Sequence, residues 1–249
     1  ALAVTDLTAT AAQYGDFITL TDELLTETED PLIMEMNDIL GQQAGNTFDQ
    51  LTRDTLVLGT NVQYASTAVS RVTVGSAMKM SAAEVREAVR TLKIAEAAKL
   101  SEMVNPTTGI GTLPINSAYI AIVHPKTTFD LKSDAAFLPV EQYPSQASVM
   151  PGEVGKIDEV RFIETTNAKV FAGAGVGGTV DVYATLIFGA NAFGITRVAG
   201  KALQTITHPL GDAGSADPLN QRSTHGWKGY FVAKILNDAW MVRIEHAVS

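Results

Sequence analysis

The run from Asp217 to His246 reads DPLNQRSTHGWKGYFVAKILNDAWMVRIEH and constrains the fold more than any other segment. Two strand patterns flank Asn237-Asp238, a pair that tolerates the positive φ of a tight hairpin. On the second strand Trp240, Val242 and Ile244 share one face, and Arg243 and Glu245 point the other way. The first strand is apolar on both sides. Trp227, Phe231 and Ile235 lie on one, and Tyr230, Val232 and Leu236 on the other. Such a strand needs cover on both faces, from its own domain or from another subunit. No catalytic pattern in the chain is as well formed, which directs attention to shape and assembly.

Charge supports that direction. Only 18% of the 249 residues are charged, against about 25% in ordinary soluble domains. Low charge suits a subunit that hides surface against copies of itself; an Ala-rich globular domain is the alternative. The net charge of −9 and pI of about 4.9 oppose a chain-wide attraction to nucleic acid. A container for nucleic acid would gain from this, because a basic wall holds the polymer tightly. The absence of cysteine excludes disulfides, Cys-ligated zinc, iron–sulfur clusters and a Cys nucleophile. No apolar run approaches the ~20 residues of a bilayer span. No signal-peptide pattern is visible, and the start at Ala1 leaves room for a removed leading segment.

Further upstream, residues 1–12 have the weak alternation of an extended arm. Gln13-Tyr14-Gly15-Asp16 has the composition of a turn before a strand from Phe17 to Leu20. Asp30-Pro31 then opens the strongest helical signal, with an N-cap followed by proline at the first helical position. Leu32, Met36, Ile39, Gln43, Thr47, Leu51 and Leu58 mark one side. Ile33, Leu40, Ala44, Phe48 and Thr55 widen it, giving a helix over about 31–58. At 1.5 Å per residue that rod is about 40 Å long. Gly41 and Gly45 inside it allow a bend or the close approach of another backbone.

Asn61 to Val74 is strand-like. Ser81-Ala82-Ala83-Glu84 is a capping box that opens a second helix, with Val85, Ala88, Val89, Leu92, Ala95 and Ala98 as its apolar stripe. A Thr/Gly/Pro loop covers Asn105 to Pro114. Tyr119 to Val123 is a buried strand, followed by a short helix through Phe129 and Leu131. Phe137 to Gly155 is irregular, Lys156 to Glu164 is a strand, and residues 168–200 are strands around a Gly-rich turn. A polar loop from His208 to Thr224 precedes the final strands. The sum is an α+β chain in which the long helix packs with the terminal hairpin.

The chemical motifs are weak. Gly173-Ala174-Gly175-Val176-Gly177-Gly178 matches G-x-G-x-x-G, but Thr179 to Tyr183 continues as a strand where a dinucleotide site needs a helix. The loop is expected to be a flexible hairpin tip. His124, His208, His225 and His246 form no i, i+4 pair and no H-E-x-x-H. Glu23, Glu27, Glu29 and Asp30 suit the positive end of a helix. Asp212 and Asp217 lack the spacing of a calcium loop. No catalytic residue, cofactor or metal site is assigned.

Several segments in order resemble the major capsid proteins of the coliphage N-four-type family of tailed bacteriophages. They are Gln13-Tyr14-Gly15-Asp16-Phe17-Ile18 leading to Thr21-Asp22, Asp30-Pro31-Leu32, Leu40-Gly41-Gln42-Gln43, Tyr119 to Pro125, Gly152-Glu153-Val154-Gly155 and the terminal DPL…GWK…ILND…VRIE run. The resemblance implies the Hong Kong 97 capsid fold: a long spine helix, a peripheral-domain sheet and a central axial domain. It implies that residues 1–20 are the return strand and base of an extended loop. Residues 21–75 hold the spine helix of the peripheral domain, 76–205 the axial domain, and 206–249 the peripheral-domain loop and terminal hairpin. Family members carry a further N-terminal arm and an outgoing loop strand before the Gln-Tyr-Gly motif, which this chain does not show.

The function implied is a major capsid protein, not an enzyme, that assembles with itself into pentamers and hexamers of an icosahedral shell. The shell encloses double-stranded DNA without sequence-specific binding. Decoration, scaffolding and portal proteins are further implied partners, with no membrane. The place implied is the virion, after assembly in the bacterial host cytoplasm. An encapsulin-like compartment shell and a nucleotide-binding enzyme are the alternatives. Tyr14, Phe17, Phe48, Leu51, Trp227, Tyr230, Phe231, Val232 and Trp240 are the candidate assembly and packing residues.

Overall fold

The computed structural model describes residues 6–104, 112–143, 149–198 and 203–249. The expected arm over 1–5, the Thr/Gly/Pro loop up to residue 111, the middle of the irregular segment at 144–148 and residues 199–200 lie outside these. The described helices are α1 (Asp22–Glu27), α2 (Leu32–Leu56), α3 (Ala82–Ile94) and α4 (Pro125–Leu131). The strands are β1 (Ala12–Thr21), β2 (Val62–Tyr64), β3 (Leu100–Val104), β4 (Thr112–Val123), β5 (Leu138–Pro139), β6 (Glu153–Ile157) and β7 (Val160–Glu164). They continue with β8 (Val170–Phe171), β9 (Val182–Phe188), β10 (Phe193–Arg197), β11 (Gln204–His208), β12 (Arg222–Ile235) and β13 (Met241–His246). The chain divides into two compact units, Ala1–Thr52 with Ile195–Lys234, and Arg53–Gly194 with Ile235–Ser249.

The first unit is a sheet under a helix. β12 runs between β1 on one edge and β10 and β11 on the other. β1 pairs with it antiparallel from Ala12 opposite Phe231 to Thr21 opposite Arg222. Opposite residues share a face, so Tyr14, Ile18 and Leu20 join His225, Trp227 and Phe231. Burial alternates along β12 as a one-sided strand requires. α2 covers that face: Met36, Leu40 and Ala44 recur every four residues and are buried, the spacing that aligns side chains on one stripe. Leu40 and Ala44 pack with Trp227, Tyr14, Ile18 and Phe48.

The second unit is a nine-stranded sheet in the order β2-β13-β9-β4-β7-β6-β5, with β3 on β4 and β8 on β9. β13 pairs antiparallel with β9 and parallel with β2. Every residue of β9 and β13 is buried, because both faces are covered. Val85, Ala88, Val89 and Leu92 of α3 pack with Tyr119, Phe162, Ile187, Val242 and Ile244 on one side. Leu56 and Val57 pack with Ile120, Leu186, Phe188 and Met241 on the other. The capping box of α3 is present. Ser81 N–H donates to Glu84 Oε2 at 2.9 Å, and Ser81 Oγ accepts from Ala83 N–H at 3.3 Å. Burial pushes the Glu84 carboxyl up, but hydrogen bonds from the Ser81 side chain and from backbone N–H groups of Ser66 and Ser81 outweigh it and hold its pKa below the ordinary value.

Several expectations are corrected. The last two strands do not pair with each other: β12 belongs to the four-stranded sheet and β13 to the nine-stranded one. Asn237 has φ −139° rather than a positive value, and its side chain caps a 3₁₀ turn by accepting from Ala239 N–H at 3.1 Å. The residues Gln13 to Asp16 lie inside β1 and form no turn. Gly15 is there because a Cβ would stand 2.6 Å from the Trp227 carbonyl oxygen. Ile39 and Leu58, placed on the apolar side of the long helix, are 56% and 77% exposed. Between Asn61 and Val74 the strand is short, and Arg71–Thr73 is a 3₁₀ turn.

Candidate assembly surface

The first unit brings four of the proposed residues together. Phe48 stacks on Phe231 with ring centroids 4.9 Å apart and meets Trp227 edge-on at 5.5 Å. Tyr14 packs beside them. Trp227 Nε1–H donates to Gln43 Oε1 at 3.4 Å, and the other end of the Gln43 amide donates to Asp16. That bond, with one from Phe17 N–H, lowers the pKa of the Asp16 carboxyl. Leu51, two turns of helix beyond Ala44, is half-buried.

The opposite face of the same sheet is open. Phe17 stands 68% exposed there, with Tyr230 and Val232 half-buried. Gly15 and Gly226, on adjacent strands, leave a shallow hollow of about 360 Å³, lined also by Phe17, Ile206, His208 and Thr224. A Cβ on Gly226 would come within 2.8 Å of the Asp16 carbonyl oxygen, so the close approach of β1 to β12 keeps this part of the face bare. Chemically the surface offers apolar area and backbone, and the imidazole on its rim, His208, is paired with Asp212.

Trp240 lies elsewhere. It closes the turn before β13, half-buried, and its Nε1–H donates to the Ala95 carbonyl at 3.0 Å. Beyond it, Arg243 and Glu245 do not face water as their alternation suggests. Glu245 is fully buried and accepts from Arg71 Nε at 2.8 Å and Nη2 at 2.6 Å, and from Arg243 Nε at 2.9 Å. Arg243 also donates to the carbonyls of Val57 and Gly59. His246 is fully buried too. Its Nδ1–H donates to the Ala247 carbonyl at 2.9 Å, so Nε2 accepts from the Thr185 hydroxyl at 3.0 Å. Burial lowers its pKa to about 4, partly offset by the Ala247 carbonyl. This polar core has no signature in the sequence, where Arg243 and Glu245 on alternate positions look like a wet face and His246 falls on the opposite side with Val242 and Ile244.

The remaining histidines have structural surroundings. His124 caps α4, accepting from Lys126 N–H at 3.2 Å; His208 pairs with Asp212; His225 is buried on the helix-covered face of β12. Asp217 accepts from Arg222 N–H at 2.8 Å and closes the loop before β12. The Gly173–Gly178 loop is tied down. Gly173 N–H donates to Asp181 Oδ1 at 2.8 Å, Gly175 N–H to the Val180 carbonyl at 2.9 Å, and Val176 N–H to the Val74 carbonyl at 2.9 Å. Gly173, Gly177 and Gly178 have positive φ, and the chain continues into β9 with no helix to face a phosphate. Among the described residues no group of three or more His, Asp or Glu side chains is arranged to hold a metal ion.

The sequence pattern of phage capsid proteins matches residues 4–244 of this chain. The chain belongs to the phage capsid protein family. Its fold matches the capsid of Ralstonia phage GP4 with a TM-score of 0.75 at 14% identity, covering 96% of this chain and 74% of that one. It also matches the capsid asymmetric unit of cyanophage Pam1 at 0.66 and 17% identity, covering 96% and 75%. The SrpI encapsulin complex of Synechococcus elongatus is a weaker match, 0.56 at 9% identity over 94% of this chain and 73% of that one. No curated protein matches the sequence. The α+β fold of this major capsid protein is the Hong Kong 97 capsid fold expected from the sequence. Its place is the virion, in association with copies of itself.

Proposed function

We propose that this protein builds the icosahedral shell of a tailed phage of the coliphage N-four type, as pentamers and hexamers around double-stranded DNA. The observation that carries this reading is the family match over residues 4–244. The sheet face bearing Phe17, Tyr230 and Val232 supports it: a shell subunit has apolar surface to hide in several symmetric interfaces, and Phe17 on this face is exposed among the described residues. The net charge of −9 suits a wall that encloses DNA without holding it. Its role is structural, without a catalytic step. Assembly belongs to the host cytoplasm, with portal, scaffolding and decoration proteins as further partners.

On this reading residues 1–20 form the return strand and base of an extended loop, α2 is the spine helix of a peripheral domain that includes β12, and 76–205 form the axial domain. β13, a member of the nine-stranded sheet, is grouped with the axial part. Phe17, Tyr230 and Val232 meet a neighbouring subunit, while Tyr14, Phe48, Leu51, Trp227, Phe231 and Trp240 set the packing behind the surfaces. Electron microscopy of the purified chain tests the reading. Closed shells of uniform size are expected, and a stable monomer at high concentration would end it. The likeness to SrpI encapsulin favours a second reading, a compartment shell for protein cargo. Particles from the natural source that contain DNA support the phage, and particles holding protein without DNA support the compartment.

A further inference from the structure

Two exposed helix ridges on this chain match each other in chemistry. On α4, Lys126, Phe129 and Lys132 follow at three-residue spacing, which sets them along one side. The inward side holds Thr127, Thr128 and Leu131, all buried. Phe129 is 69% exposed, and its ring is apolar area that a contact would bury. Among the described residues neither lysine forms an ion pair; Lys126 lies 5.8 Å over the Tyr183 ring. The nearby carboxylates are engaged: Asp130 accepts from the Ser249 N–H at 2.9 Å and pairs with Lys79 at 3.4 Å, and Asp134 accepts from Ala82 and Ala136 N–H at 2.9 and 3.0 Å.

On the first turns of α2, Met34 and Asp38 are four residues apart on the side away from Met36, Leu40 and Ala44, and Asp30 lies two residues before the helix begins. Met34 is 70% exposed, and Asp30, Glu35 and Asp38 are exposed around it. No lysine or arginine precedes Arg53 in the sequence. The ridge therefore has no cation of its own segment beside it, and two copies of it repel. Lys126 to Lys132 spans about 9 Å of helix and Met34 to Asp38 about 6 Å; the flexible lysine stems adjust to carboxylates on either side of Met34.

We propose that α4 of one copy docks on the first turns of α2 of a neighbouring copy, with Phe129 against Met34 and the two lysines against Asp30 and Asp38. Sulfur–aromatic contact suits the centre, and the flanking charges fix register and exclude self-pairing of either ridge. The contact joins different patches of identical chains, the kind that closes rings. It rests on the reading that the chain assembles with itself.

The absence of cysteine makes a direct test clean. Met34→Cys and Phe129→Cys proteins are co-assembled and mildly oxidised. A covalent dimer is expected from the mixture and not from either variant alone. Shells that give no dimer from the mixture, or as much from a single variant, overturn the contact and leave the shell reading standing. A wild type that stays monomeric, with no dimer from the mixture, removes both. As a second measurement, Lys126→Glu/Lys132→Glu and Asp30→Lys/Asp38→Lys should each cut shell yield at least tenfold. All four changes in one chain should restore it. Failure to restore, with circular dichroism showing every variant folded, overturns the pairing.

Discussion

Protonating His246 opposes folding. Its ring is neutral and enclosed, with both nitrogens engaged, and its pKa stands at about 4 against an ordinary 6.5. The unfolded chain therefore takes up the proton first. Stability from this group is fully present above pH 6.5 and falls as the pH drops through 4, by about 3 kcal/mol in all. Urea midpoints measured at pH 7 and 4.5 should show the drop, and His246→Gln should flatten it; an unchanged drop in the variant would refute the assignment. The neighbouring Glu245 holds two guanidinium groups, of which Arg243 is 8% exposed. Glu245→Gln leaves buried positive charge without its counter-charge, at a cost of about 3–5 kcal/mol. A denaturation series showing less than about 1 kcal/mol would mean that water reaches this network.

Among the elements, α2 and β12 depend on each other. Phe48 touches both Trp227 and Phe231, so Phe48→Ala removes the centre of their contact. A loss of about 3 kcal/mol is expected, read from thermal or chemical unfolding. Gly226→Ala tests the β1–β12 pairing from the other side. Its new methyl would sit 2.8 Å from the Asp16 carbonyl oxygen, and a cost of about 1–3 kcal/mol follows. A neutral result would show that the two strands separate easily. At this scale the sequence is readable where the cause is local. The capping box predicts the start of α3, and the apolar period predicts α2. The face of α2 is less legible: Ile39 fits the period yet stands exposed, because a stripe drawn on a 25-residue helix drifts around it and only the sheet beneath decides which edge is covered.

For the whole molecule, the open sheet face predicts a separation of folding from assembly. Phe17 is 68% exposed, so Phe17→Ser should change monomer stability by no more than about 0.5 kcal/mol. Shell yield, measured by sedimentation, should nevertheless fall several-fold. Normal yield would place the intersubunit contacts elsewhere. The resemblance drawn from short ordered motifs reached the capsid fold and the phage capsid protein family, while the coliphage N-four type stays a proposal. The partners of individual strands were out of its reach, and so was the polar core around Glu245.

The sequence by itself determined the main helices, most of the strands and the class. Capping chemistry, helical and strand periods and the low charge are local or compositional properties, so they survive without knowledge of the fold. Only the tertiary structure decided where the last two strands go. Asn237-Asp238 suits a hairpin and a turn between two sheets equally well, and the choice rests on β9 and β2, far away in the chain, being available to β13. It also decided that Arg243, Glu245 and His246 are enclosed. A period of two says which residues share a face, but whether that face is wet depends on what the rest of the chain lays over it.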